Sequence, residues 1–108
     1  MGRRAEWIAA GLLLSRGYWI IGRRVRTPYG EIDLIARRGR RLAFVEVKYR
    51  DTAEAADLSV SAAQAARIAA AAEYWAWKRP AYRCHQFGLD VIYITPWRLP
   101  RYRIDGLQ

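Results

Sequence analysis

The chain has 108 residues, of which 53% are hydrophobic and 27% charged, and it carries a formal net charge of +9 with a pI of about 10.4. Because this is the length of one domain, we expect a single folded unit over residues 1–108, and the hydrophobic content excludes a compositionally disordered chain. The positive charge predicts attraction to a polyanion such as nucleic acid, although a codon bias toward arginine would give the same charge without a partner.

Cysteine content and hydropathy narrow the cellular setting. Cys84 is the only cysteine, which excludes an internal disulfide and a zinc site built from cysteine thiolates and indicates a reducing compartment. Residues 1–4 resemble the basic start of a signal peptide, but Glu6 and Arg16 interrupt the apolar stretch, and no small-residue cleavage site follows. No apolar run approaches the ~20 residues of a membrane span, so we expect a cytoplasmic protein without membrane contact.

The first half of the chain predicts one helix and three strands. Apolar residues recur at helical spacing over residues 4–15, and Gly17 supplies a stop. An aromatic and β-branched strand is expected over 18–25, before a turn at 27–30. Two further strand patterns, at 31–37 and 41–49, form a hairpin.

The second half predicts a helix followed by a strand. Residues 51–58 are acidic and alanine-rich and indicate a loop or a short helix. Capping-box spacing begins a helix at Ser61 that continues to Lys78, before Pro80. A strand is expected over 87–95, and residues 98–104 form a short edge strand or a tail. The order αβββαβ predicts an α/β fold with a mixed central sheet flanked by helices.

The turn of the hairpin fixes which residues face each other. Gly39 suits the first central position of a two-residue type II′ turn, with Arg40 at the second. Arg38 then pairs with Arg41, and every later pair of the ladder follows from this one. A slip of one residue would send one strand's side chains to the other face of the sheet.

Counting along that ladder brings four ionisable residues to one face. Asp33 is expected opposite Glu46, and Glu31 opposite Lys48. The alternating apolar residues should point to the other face; they are Ile32, Leu34, Val45 and Val47.

Two facing carboxylates predict a cation site. They repel each other and raise one pKa unless a cation lies between them, and with no histidine or thiolate beside them the expected ion is Mg²⁺ or Mn²⁺. Such an ion activates water and stabilises charge on a phosphate, while Lys48 holds the phosphate or orients the water. The alternative is a solvated charge ladder worth about 0.2–1 kcal/mol per pair, which two facing carboxylates fit badly.

The lysine is itself informative. Only Lys48 and Lys78 are lysine among the 19 basic residues. In a chain so rich in arginine, a lysine next to two carboxylates suggests that a compact, titratable ammonium is needed there.

These residues resemble the PD-(D/E)xK nuclease superfamily, in which an acidic residue on one strand is followed by Glu-x-Lys on the next. Here the acidic residue is Asp33 and the tripeptide is residues 46–48. A narrower resemblance, to the bacterial YraN family, also called UPF0102, rests on Gly17-Tyr18, on GEIDLIA at 30–36 and on FVEVKYR at 44–50, and it covers nearly the whole chain.

The resemblance implies a function and a fold. The YraN family is similar in fold to archaeal Holliday junction resolvases, so the resemblance implies a restriction-endonuclease-like core and a metal-dependent endonuclease acting on branched or structured nucleic acid, with DNA the expected polymer. The alternative is a catalytically silent nucleic-acid-binding module of the same fold. Because cutting a four-way junction normally requires a dimer, the resemblance also implies that the protein could form a homodimer.

The resemblance extends to two helical residues. Glu6 corresponds to a helical acid that completes the metal site, or it is a solvated carboxylate near a helix N-terminus. Gln64 corresponds to a supporting glutamine, or it serves the capping box with Ser61. The family usually has Arg-Asn where this chain has Arg23-Arg24, which bears on substrate contacts.

Arginines on the three-strand unit are candidates to hold phosphates beside the metal. A solvated turn is the alternative for those at the hairpin tip. The candidate nucleic-acid-binding residues are Arg23, Arg24, Arg26, Arg38, Arg40 and Arg41.

Overall fold

The computed structural model describes residues 2–50 and 61–107, so the segment predicted at 51–58 lies outside the described residues. The elements, in chain order, are helix α1 (Gly2–Ser15), strands β1 (Trp19–Thr27), β2 (Gly30–Arg38) and β3 (Arg41–Tyr49), helix α2 (Ala62–Trp77), a 3₁₀ turn (Pro80–Tyr82), and strands β4 (Gln86–Ile94) and β5 (Arg101–Arg103).

The described strands form one mixed sheet in the order β1-β2-β3-β4-β5. Strands β3 and β4 pair in parallel, and the other three pairings are antiparallel. Parallel neighbours need a long crossover, and α2 lies in the connection between them. The predicted α/β fold of order αβββαβ is confirmed, and residues 101–103 form the short edge strand.

Each face of the sheet carries one helix and one apolar core. Phe44 and Val91 pack with Trp75 of α2 on one face, whereas Val45 and Ile92 pack with Leu13 of α1 on the other. Strand β3 is therefore almost wholly buried, which explains why apolar residues run nearly without interruption along it. No described helix is long and apolar enough to cross a membrane.

The predicted turn between β2 and β3 is confirmed. Gly39 has φ +59°, and Arg38 pairs with Arg41. Arg40 is not among the non-glycine residues with positive φ, as a type II′ turn requires of its second position. The predicted register then holds as far as the pair of Leu34 and Val45.

Beyond Leu34 the two strands of the hairpin separate. The pairs predicted there, Asp33 with Glu46 and Glu31 with Lys48, are not part of the backbone ladder. The physical reason is that the Asp33 carboxylate itself accepts a hydrogen bond from the Val47 N–H at 2.7 Å. A side chain has taken the place of a backbone carbonyl, which leaves a gap between the strands at this point.

The alternation of faces also breaks here, on both β1 and β2. Arg23 and Arg24 are consecutive, yet both contact side chains of α1, and Arg24 has φ +50°. Ile32 was expected on the face of Leu34, but it packs in the core beneath α2 while Leu34 packs beneath α1. A left-handed residue in β1, opposite the Asp33 gap in β2, shifts the phase of both strands together.

Candidate functional site

Glu46 lies near the carboxyl end of β3, and its exposed fraction is only 9%. The Gln64 side-chain amide donates to Glu46 Oε2 at 2.7 Å, and Lys48 Nζ lies 3.6 Å from the same oxygen. Arg67 Nη2 is 4.0 Å away. All three groups converge on one carboxylate oxygen, so a fixed set of donors orients Glu46.

Asp33 faces Glu46 across the gap in the hairpin. Burial raises the pKa of the Asp33 carboxyl to about 7, with the charges of Glu46 and Glu6 and a hydrogen bond to Glu46 acting in the same direction; the Val47 N–H opposes them. We call Asp33 and Glu46 the carboxylate pair. The structure brings this predicted pair together, and without a cation Asp33 resists ionisation.

Lys48 stands one step along the same face of β3 as Glu46, as the strand period predicts. Its exposed fraction is 9%, so its ammonium group is held in a largely buried setting next to the carboxylate pair. Within the described residues it is the one lysine beside these acids. It supplies a compact positive charge next to the carboxylate pair.

Gln64 takes the supporting role considered from the sequence, and only its backbone N–H takes part in the cap with Ser61. Ser61 caps α2, because its side chain accepts a hydrogen bond from the Gln64 N–H at 3.1 Å. The Gln64 side chain, however, points to Glu46. The backbone of one residue starts the helix while its side chain supports the site.

Glu6 approaches the carboxylate pair from α1 but is bound to an arginine. Its Oε1 accepts a hydrogen bond from Arg24 Nε at 2.8 Å, and its charge still contributes to the raised pKa of Asp33. Among residues 2–50 and 61–107, no three histidine, cysteine or acidic side chains come close enough together to hold a metal ion. Of the three carboxylates expected to form the metal site, Asp33 and Glu46 face each other, whereas Glu6 is bound to Arg24.

Glu31 does not take its expected place. It pairs with Arg26 in the ladder between β1 and β2, and their side chains lie 3.7 Å apart at an exposed position. The separation of the hairpin strands removes Glu31 from Lys48. The support predicted from Glu31 has no counterpart in these contacts.

Comparison with known sequences identifies the family. A model described as "Uncharacterised protein family UPF0102" matches residues 5–94, which include the carboxylate pair, Lys48 and Gln64. The chain belongs to the UPF0102 family. The YraN family resemblance is thus confirmed.

Three relatives show how complete the similarity is. A UPF0102 protein of Nitrobacter winogradskyi is 46% identical over 107 residues, and one of Sphingopyxis alaskensis is 48% identical over the same length; each alignment covers 99% of this chain and 91% of the relative. A UPF0102 protein of Caulobacter vibrioides is 48% identical over 106 residues, covering 98% of this chain and 85% of the relative. These names state the family and no activity.

Sequence reasoning missed Arg67 in this UPF0102 protein. Arg67 extends from α2 against Gly30, where an added Cβ would come within 2.6 Å of its Nη1. Gly30 also has φ +132°, so glycine serves both the turn and the passage of the arginine. The signal was available, because Arg67 lies three residues after Gln64 and hence on the same helix face.

The candidate nucleic-acid arginines fall into separate places. On β1, Arg23 pairs with Leu34 and Arg24 follows it beside Asp33, Arg26 pairs with Glu31, and Arg38 and Arg40 sit at the hairpin tip. Arg41 and Glu46 lie five residue steps apart along β3, a distance of roughly 17 Å at strand spacing. The sequence predicted that the tip arginines would lie beside the carboxylate pair. The structure instead places them at the far end of the hairpin.

Arg41 belongs to a second buried cluster of the UPF0102 chain. Its guanidinium donates to the two oxygens of Asp90 at 2.7 and 2.8 Å. Tyr102 Oη donates a hydrogen bond to Asp90 at 2.6 Å. The Asp105 backbone N–H also donates to Asp90, at 2.7 Å. We call these four residues the Asp90 network, and we leave Arg41 out of the proposed phosphate contacts because its guanidinium is already bound.

The donor set of the carboxylate pair fits the predicted metals. Its oxygens are hard ligands, and within the described residues no imidazole or thiolate contacts them, which favours Mg²⁺ or Mn²⁺. Burial, and then the charges of Glu46 and Glu6, raise the pKa of Asp33 and so disfavour its ionised form. A divalent cation bound between the two carboxylates would favour the ionised form.

Proposed function

We propose that this UPF0102 protein is a metal-dependent phosphodiesterase that cleaves nucleic acid, with Asp33 and Glu46 holding Mg²⁺ or Mn²⁺. The observation that supports the proposal best is the carboxylate pair itself, with Lys48 and Gln64 converging on Glu46 Oε2. The net charge of +9 supports a polyanionic substrate.

The chain's own residues account for substrate positioning and for charge. Gln64 fixes the orientation of Glu46, and Lys48, which is largely buried beside Glu46, would hold a phosphate oxygen or the attacking water with a charge that burial strengthens. When bound, the metal ion would favour deprotonation of water and offset negative charge on the phosphate. Hydrolysis then forms a bond from water oxygen to phosphorus, and the bond to the leaving sugar oxygen breaks as that oxygen takes a proton.

The finer parts of the proposal concern substrate and assembly. We infer DNA as the polymer and a branched or otherwise structured region as the target, on the strength of the family's similarity to junction resolvases. A homodimer would place two carboxylate pairs on one branched substrate. Arg23 and Arg26 of β1 would hold neighbouring phosphates, whereas Arg24 is already paired with Glu6.

A cleavage assay tests the proposal. Labelled linear, flapped and four-way DNA would be incubated with Mg²⁺, Mn²⁺ or EDTA and with wild type, Asp33→Ala or Lys48→Ala. We expect cleavage only with a divalent ion, and a loss of about 100-fold or more in each variant. Glu73→Ala serves as a matched acidic control, because Glu73 is exposed on α2 away from the carboxylate pair.

One observation favours the silent binding module as a second candidate. Glu6 is held by Arg24, which leaves two carboxylates where three were expected. Salt-sensitive binding without cleavage under any metal condition would establish that candidate and overturn the first. Cleavage that persists in both Asp33→Ala and Lys48→Ala would overturn the assignment of the site.

A further inference from the structure

A cleft of about 280 Å³ opens between α1 and β1, lined by Glu6, Trp7, Arg23 and Arg24. We call it the Trp7 cleft. The exposed fraction of Trp7 is 60%, and the Arg23 guanidinium lies over its ring, 4.5 Å from the centroid. A large aromatic side chain therefore stands at the surface with a cation against it.

The phase shift in β1 builds this cleft. Consecutive strand residues normally point to opposite faces, but the left-handed conformation of Arg24 brings Arg23 and Arg24 to the same helix. Residues other than glycine and asparagine seldom adopt this conformation, and such backbone features concentrate at binding and catalytic sites. The contacts of Arg23 and Arg24 with α1 offset the free-energy cost of the left-handed backbone at Arg24.

The two arginines of the cleft differ in how their charge is used. Arg24 is paired with Glu6 at 2.8 Å. Arg23 forms no ion pair with any residue of the described chain and contacts the Trp7 ring instead. Its charge therefore remains available to an anion that enters the cleft.

An exposed indole beside an uncompensated guanidinium matches one ligand chemistry, a base with its phosphate. Unpaired bases stack on aromatic and arginine planes, whereas bases of a duplex are already stacked and paired. The volume of about 280 Å³ is just below that of sites for drug-sized ligands, and so suits one nucleotide and not a duplex groove.

We propose that the Trp7 cleft binds an unpaired nucleotide of a nucleic-acid strand, with the base stacked on Trp7 and a phosphate on Arg23. The inference rests on the proposed function, because it takes the adjoining carboxylate pair as the cleavage site. Arg23 pairs with Leu34, one residue from Asp33, and Glu6 belongs to the cleft while its charge acts on Asp33. A strand bound here would extend toward Asp33, and the target is nucleic acid with single-stranded character.

Binding measured in EDTA tests the inference without any cleavage. Fluorescence anisotropy would follow a short labelled single strand and its matched duplex with wild type, Trp7→Ala, Trp7→Phe and Arg23→Gln. We expect Trp7→Ala to weaken single-strand binding by roughly 5- to 140-fold and duplex binding much less. Trp7→Phe should keep most of the affinity, and Arg23→Gln should lower the salt slope by about 0.7.

Trp19→Ala is the matched control. Trp19, on β1, is a tryptophan at least as exposed as Trp7, with an exposed fraction of 69%, but it does not line the cleft. Equal losses for Trp7→Ala and Trp19→Ala, or equal losses on single strand and duplex, would overturn the inference. Competition by a mononucleotide as strong as by the oligonucleotide would also overturn it, in favour of a free-nucleotide site. Failure of the proposed function is separable, because an inactive protein would still show the Trp7 dependence in EDTA.

Discussion

Asp33 and Asp90 are both carboxylates of the central sheet, but the chain surrounds them in opposite ways. Asp90 is fully buried at 0% exposure and receives two hydrogen bonds from Arg41, one from Tyr102 and one from the Asp105 backbone. Asp33 receives one hydrogen bond from Val47 and faces another acid.

The difference separates a structural carboxylate from a candidate functional one. Asp90 has its charge matched by Arg41, and it ties β5 and the following turn to β4. Buried charges that are completely paired in this way belong to the framework of a fold. The carboxylate pair instead contains an acid, Asp33, whose pKa is raised by burial and by its acidic neighbours, which is the pattern of sites that bind or react.

The largest effect on stability is expected from breaking the Asp90 network. Asp90→Ala leaves the Arg41 guanidinium without its partner and should lower the free energy of unfolding by about 3–5 kcal/mol. Urea denaturation monitored by circular dichroism measures this. Asp105→Ala, at an exposed position in the same network, should cost far less. Similar losses for the two variants would contradict a structural role for Asp90.

Asp33 should make the stability of the protein depend on pH. The pKa of Asp33 rises on folding from near 3.8 to about 7, so the folded chain binds more protons than the unfolded chain between these values. Its contribution to stability is fully present below pH 3.8 and is lost as the pH rises through about 7. In EDTA, wild type should therefore lose stability relative to Asp33→Asn over this range, as measured by thermal unfolding. Parallel curves would contradict the raised pKa.

The smallest effects should separate the two roles of Gln64. Ser61→Ala removes the helix cap and should cost about 1 kcal/mol of stability without changing cation affinity. Gln64→Ala keeps the Ser61 cap, because the cap uses the Gln64 backbone, but it should weaken Mn²⁺ binding by about 10-fold through Glu46. Calorimetry and denaturation of both variants check the contrast, and a reversed order of effects on affinity would contradict it.

Local chemistry was sufficient to predict the framework of the site. A glycine at position 39 specified the turn, and the turn specified a register that holds to Leu34 and Val45. The spacing of Ser61 and Gln64 likewise fixed the start of α2. These features depend on residues that are close in sequence, where turn and capping rules apply directly.

The phase shift at Arg24 and Asp33 could not be predicted from periodicity. It depends on contacts between Arg24 and Glu6, 18 positions apart, and on a hydrogen bond from Asp33 to a strand that follows the turn. One signal existed. The resemblance to the YraN family implied asparagine at the position of Arg24, and asparagine is a residue that accepts the left-handed conformation found there.

The most direct test of the carboxylate pair is a Mn²⁺ titration of the protein by isothermal calorimetry, without nucleic acid. Wild type should bind a single ion per chain, and Asp33→Asn should lose at least about 10-fold in affinity because one of two carboxylate ligands is gone. Asp105→Asn, a carboxylate outside the pair, should bind as wild type does. Equal affinity in wild type and Asp33→Asn, or no binding to wild type, would contradict the assignment of this pair as a cation site.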